Sequence, residues 1–301
     1  MSIQFKIISD VKQCEELWKV FHPSIECFWD LWEARRCFLA EMNNKLHFVV
    51  GYEGGEAIGI LPLCLNEERG YYTSIGNEFP EHNRIPLKDK KNLPAFFEHA
   101  PEKVAIECIN QKEAVYLPLK ESYKTYSLDL AELQSIENYL QTFNKKHRKN
   151  LKYDINQALK TGLKVSLQHN DPDGSLLDVI EKFNVERFGS ESSFVEKGYK
   201  ESMRNLIALA EKMNILHMIS IWDGTTPLAA EFAILFQDVY TVLMGGSDPK
   251  VKNVSKLLIY KHIEHSFELK AKKLDFMAGA DEWKQLWNFS GEMMYEYKKG
   301  V

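Results

Sequence analysis

Several features that define other protein classes are missing from this 301-residue sequence. Its five cysteines are scattered and form no C-x-x-C pair, which favours reduced thiols over a disulfide framework. No run of about 18 apolar residues occurs, and the N-terminus lacks the basic-then-apolar pattern of a secretion signal. We therefore expect a cytoplasmic protein without a membrane span.

An excess of positive charge is also missing. The formal net charge is -5, with acidic and basic residues interspersed, which argues against a protein built to hold DNA or other long nucleic acid. No P-loop, G-x-S-x-G, H-E-x-x-H or G-x-G-x-x-G motif is present. His262 and His265 lie one helical turn apart, but no further ligands are evident, so we interpret them as a solvated helix face and expect no metal.

What the sequence does contain is a pattern that occurs twice. Residues 48–63 and 218–235 both read as strand, glycine turn, strand, and residues 70–76 and 238–246 supply the strand that follows each hairpin. Any two hairpins look alike to a degree. Because the order of the elements matches as well as the residue types, we predict a duplicated α/β unit.

A long helical stretch is predicted over residues 131–162, closed by Gly162. Within it a basic cluster accompanies an apolar row of Leu151, Ile155 and Leu159 at helical spacing. Such a charged face is either solvated or, if an arginine is suitably placed, able to hold a phosphate or carboxylate.

Two stretches resemble a known family. Residues 145–162 contain R-K-N-L-K, similar to the "R-x-N-L-R/K" helix of the CelD-type acetyltransferase domain, a GNAT branch associated with exopolysaccharide biosynthesis. Residues 222–287 resemble that domain's C-terminal signature of a small-residue hairpin, "G-x-D", a serine at a helix start and "D-F-x-x-G…Y/W-K". The resemblance covers residues 125–297 well and the first half more loosely. Fem-type peptidoglycan aminoacyltransferases share the double architecture.

The resemblance implies an α/β (α+β) fold of two tandem GNAT-like domains, each a mixed, largely antiparallel sheet flanked by helices. We predict a degenerate domain over residues 1–122 and an acyltransferase domain over residues 123–301. The implied activity moves an acyl group from acyl-CoA to an amine or hydroxyl of a small-molecule, sugar or envelope-precursor acceptor. Two alternatives stay open: a Fem-type enzyme that uses aminoacyl-tRNA, and a non-enzymatic GNAT fold that binds a ligand. The sequence does not indicate the oligomeric state.

The resemblance also implies a donor site where a strand end meets a helix start. Unpaired N–H groups there favour an anion and stabilise a developing oxyanion. The predicted donor contacts are Leu243, Met244, Gly245, Gly246, Asn253, Ser255 and Lys256. Ser255 either touches a phosphate or caps the helix. The usual "Q/R-x-x-G-x-G/A" loop is replaced by residues 249–258, which contain no glycine, so Lys250, Lys252 and Lys256 would have to supply the attraction by charge.

Three residues are candidates for acid–base chemistry. Glu231 lies in an apolar strand beside small residues, where it is either a general base with a raised pKa or a structural ion-pair partner. Asp275 ends a strand, and His82 lies in a loop of the first half, where histidines are often bystanders. The predicted acceptor-binding residues are Arg148, Asn83, Asp281 and Lys284, with Asp281 alternatively a helix cap.

Overall fold

The computed structural model describes residues 2–39, 44–76, 79–279 and 281–301, and the side chains of Asn44 and Asp281 lie outside that description. The chain forms two compact units. Unit 1 comprises Met1–Thr125 together with Glu292–Val301, and unit 2 comprises Tyr126–Gly291. The units differ from the predicted domains chiefly in that residues 292–301 pack with unit 1.

Unit 1 begins with a strand and continues through helices that cover a largely antiparallel sheet. Its elements are β1 (Gln4–Ile8), α1 (Val11–Phe21), α2 (Trp32–Arg36), β2 (Asn44–Glu53), β3 (Glu56–Asn66), β4 (Tyr71–Ser74), α3 (Leu93–Glu98), β5 (Val104–Ile109), α4 (Gln111–Ala114) and β6 (Lys120–Asp129), which runs on into unit 2. Neighbouring strands from β1 to β4 are antiparallel, and β4 and β5 are parallel.

Unit 2 follows the same order. Its elements are α5 (Ile136–Gln141), α6 (Lys145–Lys160), β7 (Lys164–Gln168), α7 (Ser175–Phe188), α8 (Tyr199–Lys212), β8 (Leu216–Asp223), β9 (Thr226–Phe236), β10 (Val239–Ser247), α9 (Val254–Glu268), β11 (Lys273–Ala278), α10 (Asp281–Leu286) and β12 (Ser290–Lys299), which runs on into unit 1. Neighbouring strands from β7 to β10 are antiparallel, and β10 and β11 are parallel.

The repeat extends to the irregularities of the two hairpins. The β2–β3 register shifts between Gly51 and Tyr52, and the β8–β9 register shifts at the matching place, between Ile221 and Trp222. Each hairpin turns through a glycine with positive φ, Gly54 in unit 1 and Gly224 in unit 2, a conformation that glycine adopts at no steric cost. The predicted fold class, two tandem GNAT-like units of mixed sheet and helix, is confirmed.

One strand of unit 1 is distant in sequence from the rest of that unit. β12 follows unit 2 in the chain but pairs antiparallel with β5 of unit 1, from Tyr295 opposite Ile109 to Lys299 opposite Val104. β6, whose residues 126–129 begin unit 2, is the sheet neighbour of β11. Unit 1 therefore receives β12 only after the elements of unit 2 in sequence, whereas β6 stands at the start of unit 2.

The predicted long helix over residues 131–162 is wrong in two respects. It is two helices, because Ser135 and Asn144 each accept a backbone N–H through their side chains and begin α5 and α6 separately. The apolar row also differs: Leu151 and Ile155 are buried, but Leu159 is 41% exposed and Ala158 takes its place. Gly162 adopts positive φ directly after the helix, as expected.

Apolar side chains cover the sheets of both units. In unit 1, α1 and α2 bury Trp18 and Trp32 against one face, while α3 buries Phe96 against the other. In unit 2, α6 and α9 bury Leu151 and Leu257 in a single large cluster. Among the described helices, none has the length and apolar character needed to cross a bilayer.

Candidate active site

The first feature of the site is the place where β10 and β11 part. Their parallel register runs from Val239 opposite Lys273 to Thr241 opposite Asp275, and it ends there among the described residues. β10 continues to Ser247 and stays paired with β9 on its other side, with an irregularity between Val242 and Met244. Residues 243–246 therefore lie beyond the end of the pairing with β11, on the strand edge where the sequence predicted a donor site.

The two glycines of β10 are needed by the protein's own atoms. A Cβ on Gly245 would lie 2.5 Å from Glu231 Oε1, so the carboxyl group rests directly over this glycine. A Cβ on Gly246 would lie 2.7 Å from the carbonyl oxygen of Ile180 in α7. Gly246 thus permits a helix to approach the strand, and a valine there would disturb α7 rather than merely fill a pocket.

Glu231 contributes a carboxyl group next to this stretch of β10, because it stands opposite Gly245 in the β9–β10 register. Its side chain is only 16% exposed. Burial raises the pKa of Glu231 to about 8, although the positive charge of Lys284 opposes the shift. A carboxyl group with a pKa near neutrality accepts and returns a proton readily, which is what a general base requires.

Behind Glu231 lies a pair of fully buried polar residues on α9 and β10. His262 Nε2 is 3.3 Å from Glu231 Oε2, and His262 Nδ1 is 2.9 Å from the Tyr240 hydroxyl oxygen. Burial, with smaller contributions from His265 and His217, lowers the pKa of His262 to about 3. The imidazole is therefore neutral near pH 7.

The prediction that His262 and His265 form a solvated helix face is wrong. Their side chains are buried because α9 is covered by β8, β9 and β10. The sequence carried a signal for this: His262 continues the apolar row of Val254 and Leu258 at a spacing of four. In the described part of the chain, no group of histidine, cysteine and carboxylate side chains is arranged to hold a metal ion.

Asp275 and Lys284 shape the end of β11. The Asp275 carboxylate accepts the backbone N–H of Met277 at 2.8 Å, and Met277 has positive φ. Lys284 is 3% exposed, and its ammonium donates to the carbonyl oxygens of Phe276, Met277 and Ala278 at 2.8, 3.0 and 2.6 Å. The catalytic and acceptor-binding roles predicted for them stay predictions. Asp281 begins α10, but its side chain lies outside the described residues.

The start of α9 has the features of an anion site. Asn253 precedes the helix with φ +65° and makes no side-chain cap, and no acidic residue occupies the first turn. Ser255 is exposed and likewise no cap. Lys256 donates to Asp154 Oδ2 at 2.5 Å, so its charge is already matched, whereas Lys250 and Lys252 are simply exposed. Phosphate binding here stays a prediction, with fewer available charges than the sequence suggested.

Arg148 lies in the first turn of α6 in unit 2. Its side chain is half-buried, and Nη1 donates to Gln141 Oε1. Within the described residues its partner is this uncharged amide, so the arrangement is compatible with an anionic ligand.

The remaining predicted residues belong to unit 1. Both ends of the Asn83 amide are engaged, with Oδ1 accepting from Arg35 Nη1 at 2.8 Å and Nδ2 donating to the Glu107 carbonyl at 2.7 Å. Asn83 also bridges to Ile109 of β5. The His82 carbonyl accepts from the same arginine at 3.0 Å. Arg35, which sequence reasoning missed, therefore organises this loop, and the site roles of His82 and Asn83 stay predictions.

Comparison with known proteins finds a family similarity in the region that carries these features. Residues 145–285 match the acetyltransferase (GNAT) domain. The GNAT match runs from the start of α6 into α10, so it includes Arg148, Glu231, Asp275, Lys284 and the donor-site residues, and it leaves His82 and Asn83 outside. No curated protein sequence matches the chain.

Solved structures share the fold over the whole chain. FemX is 11% identical, with a TM-score of 0.58 and 98% of each chain covered. A tandem GNAT protein from the clavulanic acid biosynthesis pathway is 9% identical, with a TM-score of 0.56 over 100% of this chain and 99% of that one. The C-terminal domain of a putative lysylphosphatidylglycerol synthetase from Agrobacterium fabrum is 10% identical, with a TM-score of 0.56 over 95% and 91%. At these identities the likeness concerns the fold alone.

Proposed function

We propose that this protein is an acyltransferase that moves an acyl group from acyl-CoA to an amine or hydroxyl, with the reaction in the GNAT domain of unit 2. The observation that carries the proposal is the buried Glu231 carboxyl group resting over Gly245, at the strand edge where β10 has parted from β11. A proton acceptor and an unpaired strand edge are thereby adjacent, and direct acyl transfer needs both.

In the proposed reaction the thioester lies along the β10 edge, where backbone N–H groups of residues 243–246 hold the carbonyl oxygen. The start of α9 receives the donor phosphates. Glu231 takes the proton of the acceptor amine or hydroxyl as that atom bonds to the acyl carbon. The carbon–sulfur bond then breaks, and the CoA thiolate leaves and is protonated by water, while Glu231 releases its proton to solvent. No covalent enzyme intermediate is required.

The acceptor class follows from the finer resemblance. The R-K-N-L-K helix start and the D-F-x-x-G…W-K segment favour a CelD-type enzyme, and hence a sugar or an envelope precursor as acceptor. Arg148 supports an anionic acceptor, because its partner among the described residues, Gln141, is an uncharged amide. Lys284 acts more indirectly, because its ammonium is held by three carbonyl groups.

The test combines binding with turnover. Calorimetric titration with acetyl-CoA at low and high salt should show weak binding that falls with ionic strength, because exposed lysine charge is screened. Thiol release with a panel of amine and hydroxyl acceptors measures turnover. Glu231→Gln should retain binding and lose turnover, whereas the control Glu186→Gln, at an exposed position on α7, should lose neither. Equal turnover in the two variants would contradict the role of Glu231.

A second candidate is an aminoacyl-tRNA-dependent transferase. The glycine-free segment before α9 and the fold shared with FemX favour it. Co-purification of tRNA together with no acetyl-CoA binding at either salt would support this reading. No binding of either donor, and no turnover across the panel, would support a GNAT fold that only binds a ligand.

A further inference from the structure

Two buried polar atoms face each other without an ordinary hydrogen bond. Glu231 Oε2 and His262 Nε2 are 3.3 Å apart, both are shielded from solvent, and neither has another hydrogen-bond partner in the described structure. Buried polar groups are nearly always satisfied, so this pair calls for an explanation. A proton held between the two atoms supplies one, since either atom can be its donor.

The opposite side of the imidazole makes both arrangements possible. His262 Nδ1 is 2.9 Å from the Tyr240 hydroxyl, and a phenol is able to donate or to accept. When Glu231 is ionised, His262 carries its proton on Nε2 and donates to the carboxylate, while Tyr240 donates to Nδ1. When Glu231 is protonated, it donates to Nε2, and the imidazole proton sits on Nδ1 and is donated to the tyrosine oxygen.

We propose that His262 and Tyr240 form a tautomer relay that holds Glu231 in position in both of its protonation states. His262 and Tyr240 are positioning residues, because neither lies on the strand edge where the acyl donor would bind. The inference rests on the proposed function for its role in catalysis, but the relay itself is a property of the ligand-free protein.

The surrounding groups allow the imidazole to stay neutral throughout. His262 faces Glu231 on β9, Tyr240 on β10, His217 on β8 and His265 on its own helix. Burial also lowers the pKa of His217 to about 4, and burial raises the pKa of Tyr240 well above its usual range. Lys284 is the positive charge that acts on Glu231 itself, and it favours the ionised carboxylate.

The relay accounts for the orientation of the carboxyl group. Oε2 points to the imidazole and is shielded from solvent, whereas Oε1 lies over Gly245 at the strand edge. A proton taken from an acceptor enters at Oε1. For the acid to donate to Nε2, His262 releases its Nε2 proton and takes up another on Nδ1, and both protons are exchanged with water when the site opens locally. Glu231 gains one proton in total, and the loss and gain at His262 are equal, so the charge of the imidazole is unchanged.

The direct test is nitrogen NMR of the ligand-free protein labelled in histidine. The His262 resonances, assigned from their loss in His262→Gln, should change from the Nδ1–H to the Nε2–H pattern as pH rises, with a midpoint close to the Glu231 pKa of about 8. Glu231→Gln should abolish the change. A single tautomer across the titration, or a doubly protonated ring, would overturn the relay. The experiment needs neither an acyl donor nor an acyl acceptor, so its result can be interpreted even if the proposed acyltransferase activity is not found.

A kinetic test uses the tyrosine. Tyr240→Phe removes the partner of Nδ1 in both tautomers, so the rising limb of the pH–rate profile should move from its wild-type position, with about a tenfold change in rate below it for each pH unit of movement. Acetyl-CoA affinity should be unchanged. The control is Tyr260→Phe, on the same helix and half-buried. Identical limbs in the two variants would contradict the relay, and His262→Gln provides the same comparison if Tyr240→Phe folds poorly.

Discussion

Replacing Glu231 by glutamine should change how stability depends on pH. Glu231 has an ordinary pKa of 4.5 in the unfolded chain and about 8 in the folded protein. Between these values the folded protein binds one proton more than the unfolded chain does, so the stability from this group is present below the lower value and is lost as pH rises through the upper one. Glutamine cannot titrate, and Glu231→Gln therefore lacks this loss.

The size of the effect follows from the shift. A shift from 4.5 to about 8 corresponds to about 5 kcal/mol, and solvent screening of the exposed part of the side chain reduces the expected value to roughly 2 to 5 kcal/mol. The free energy of unfolding of the wild type should fall by that amount, relative to Glu231→Gln, between about pH 4.5 and pH 8.5. Other groups titrate in both proteins and largely cancel in the difference.

Urea denaturation at a series of pH values, followed by circular dichroism, measures this difference. The control Glu186→Gln changes an exposed carboxylate on the neighbouring helix α7 and should run parallel to the wild type. Parallel curves for the wild type and Glu231→Gln would refute the argument, because they would mean that the folded protein leaves the carboxyl group with its ordinary affinity for protons.

Three other substitutions give distinct outcomes. Gly246→Val should lower the unfolding free energy by about 1 to 3 kcal/mol or more, measured in urea, because its side chain meets the α7 backbone; an unchanged midpoint would contradict this. Lys284→Met should lower the free energy of unfolding by about 2 to 4 kcal/mol, since three carbonyl groups lose their donor. Stability equal to the wild type would show that water replaces the ammonium group. Arg148→Ala should reduce the rate of thiol release at least roughly tenfold and change the free energy of unfolding by less than about 0.5 kcal/mol, whereas the control Lys149→Ala should keep the wild-type rate. Equal rates in the two variants would show that Arg148 contributes only surface charge.

The sequence predicted those parts of the fold that local patterns determine. The hairpins are short-range, and glycines such as Gly54 and Gly224 mark their turns, so the repeat was readable from residue types and order. The break between α5 and α6 was also local, since Asn144 is a common helix-capping residue, but the surrounding helix-forming residues obscured it.

Other features depend on contacts that are distant in sequence. Nothing in residues 292–301 indicates that they pair with β5 and not with a strand of unit 2. Glu231 was identified from its apolar strand, but its partners Tyr240 and His262 were missed, because a histidine among polar neighbours looks solvated until the helix is known to be covered by strands. Likewise, Gly245 and Gly246 were predicted only as donor contacts, and the approach of the protein's own side chain and helix to them was missed.

The late position of β12 in the chain bears on how the protein is made. During synthesis from the N-terminus, β5 leaves the ribosome long before β12, which follows all the helices of unit 2. Until β12 is made, the edge of β5 that pairs with it stays unpaired, and an unpaired strand edge is a template for association with other chains. Unit 2 has β6 at its start, so this strand is available to pair as the unit emerges. The first unit to be made is thus the last to be finished, and its safe maturation depends on how quickly the second unit folds.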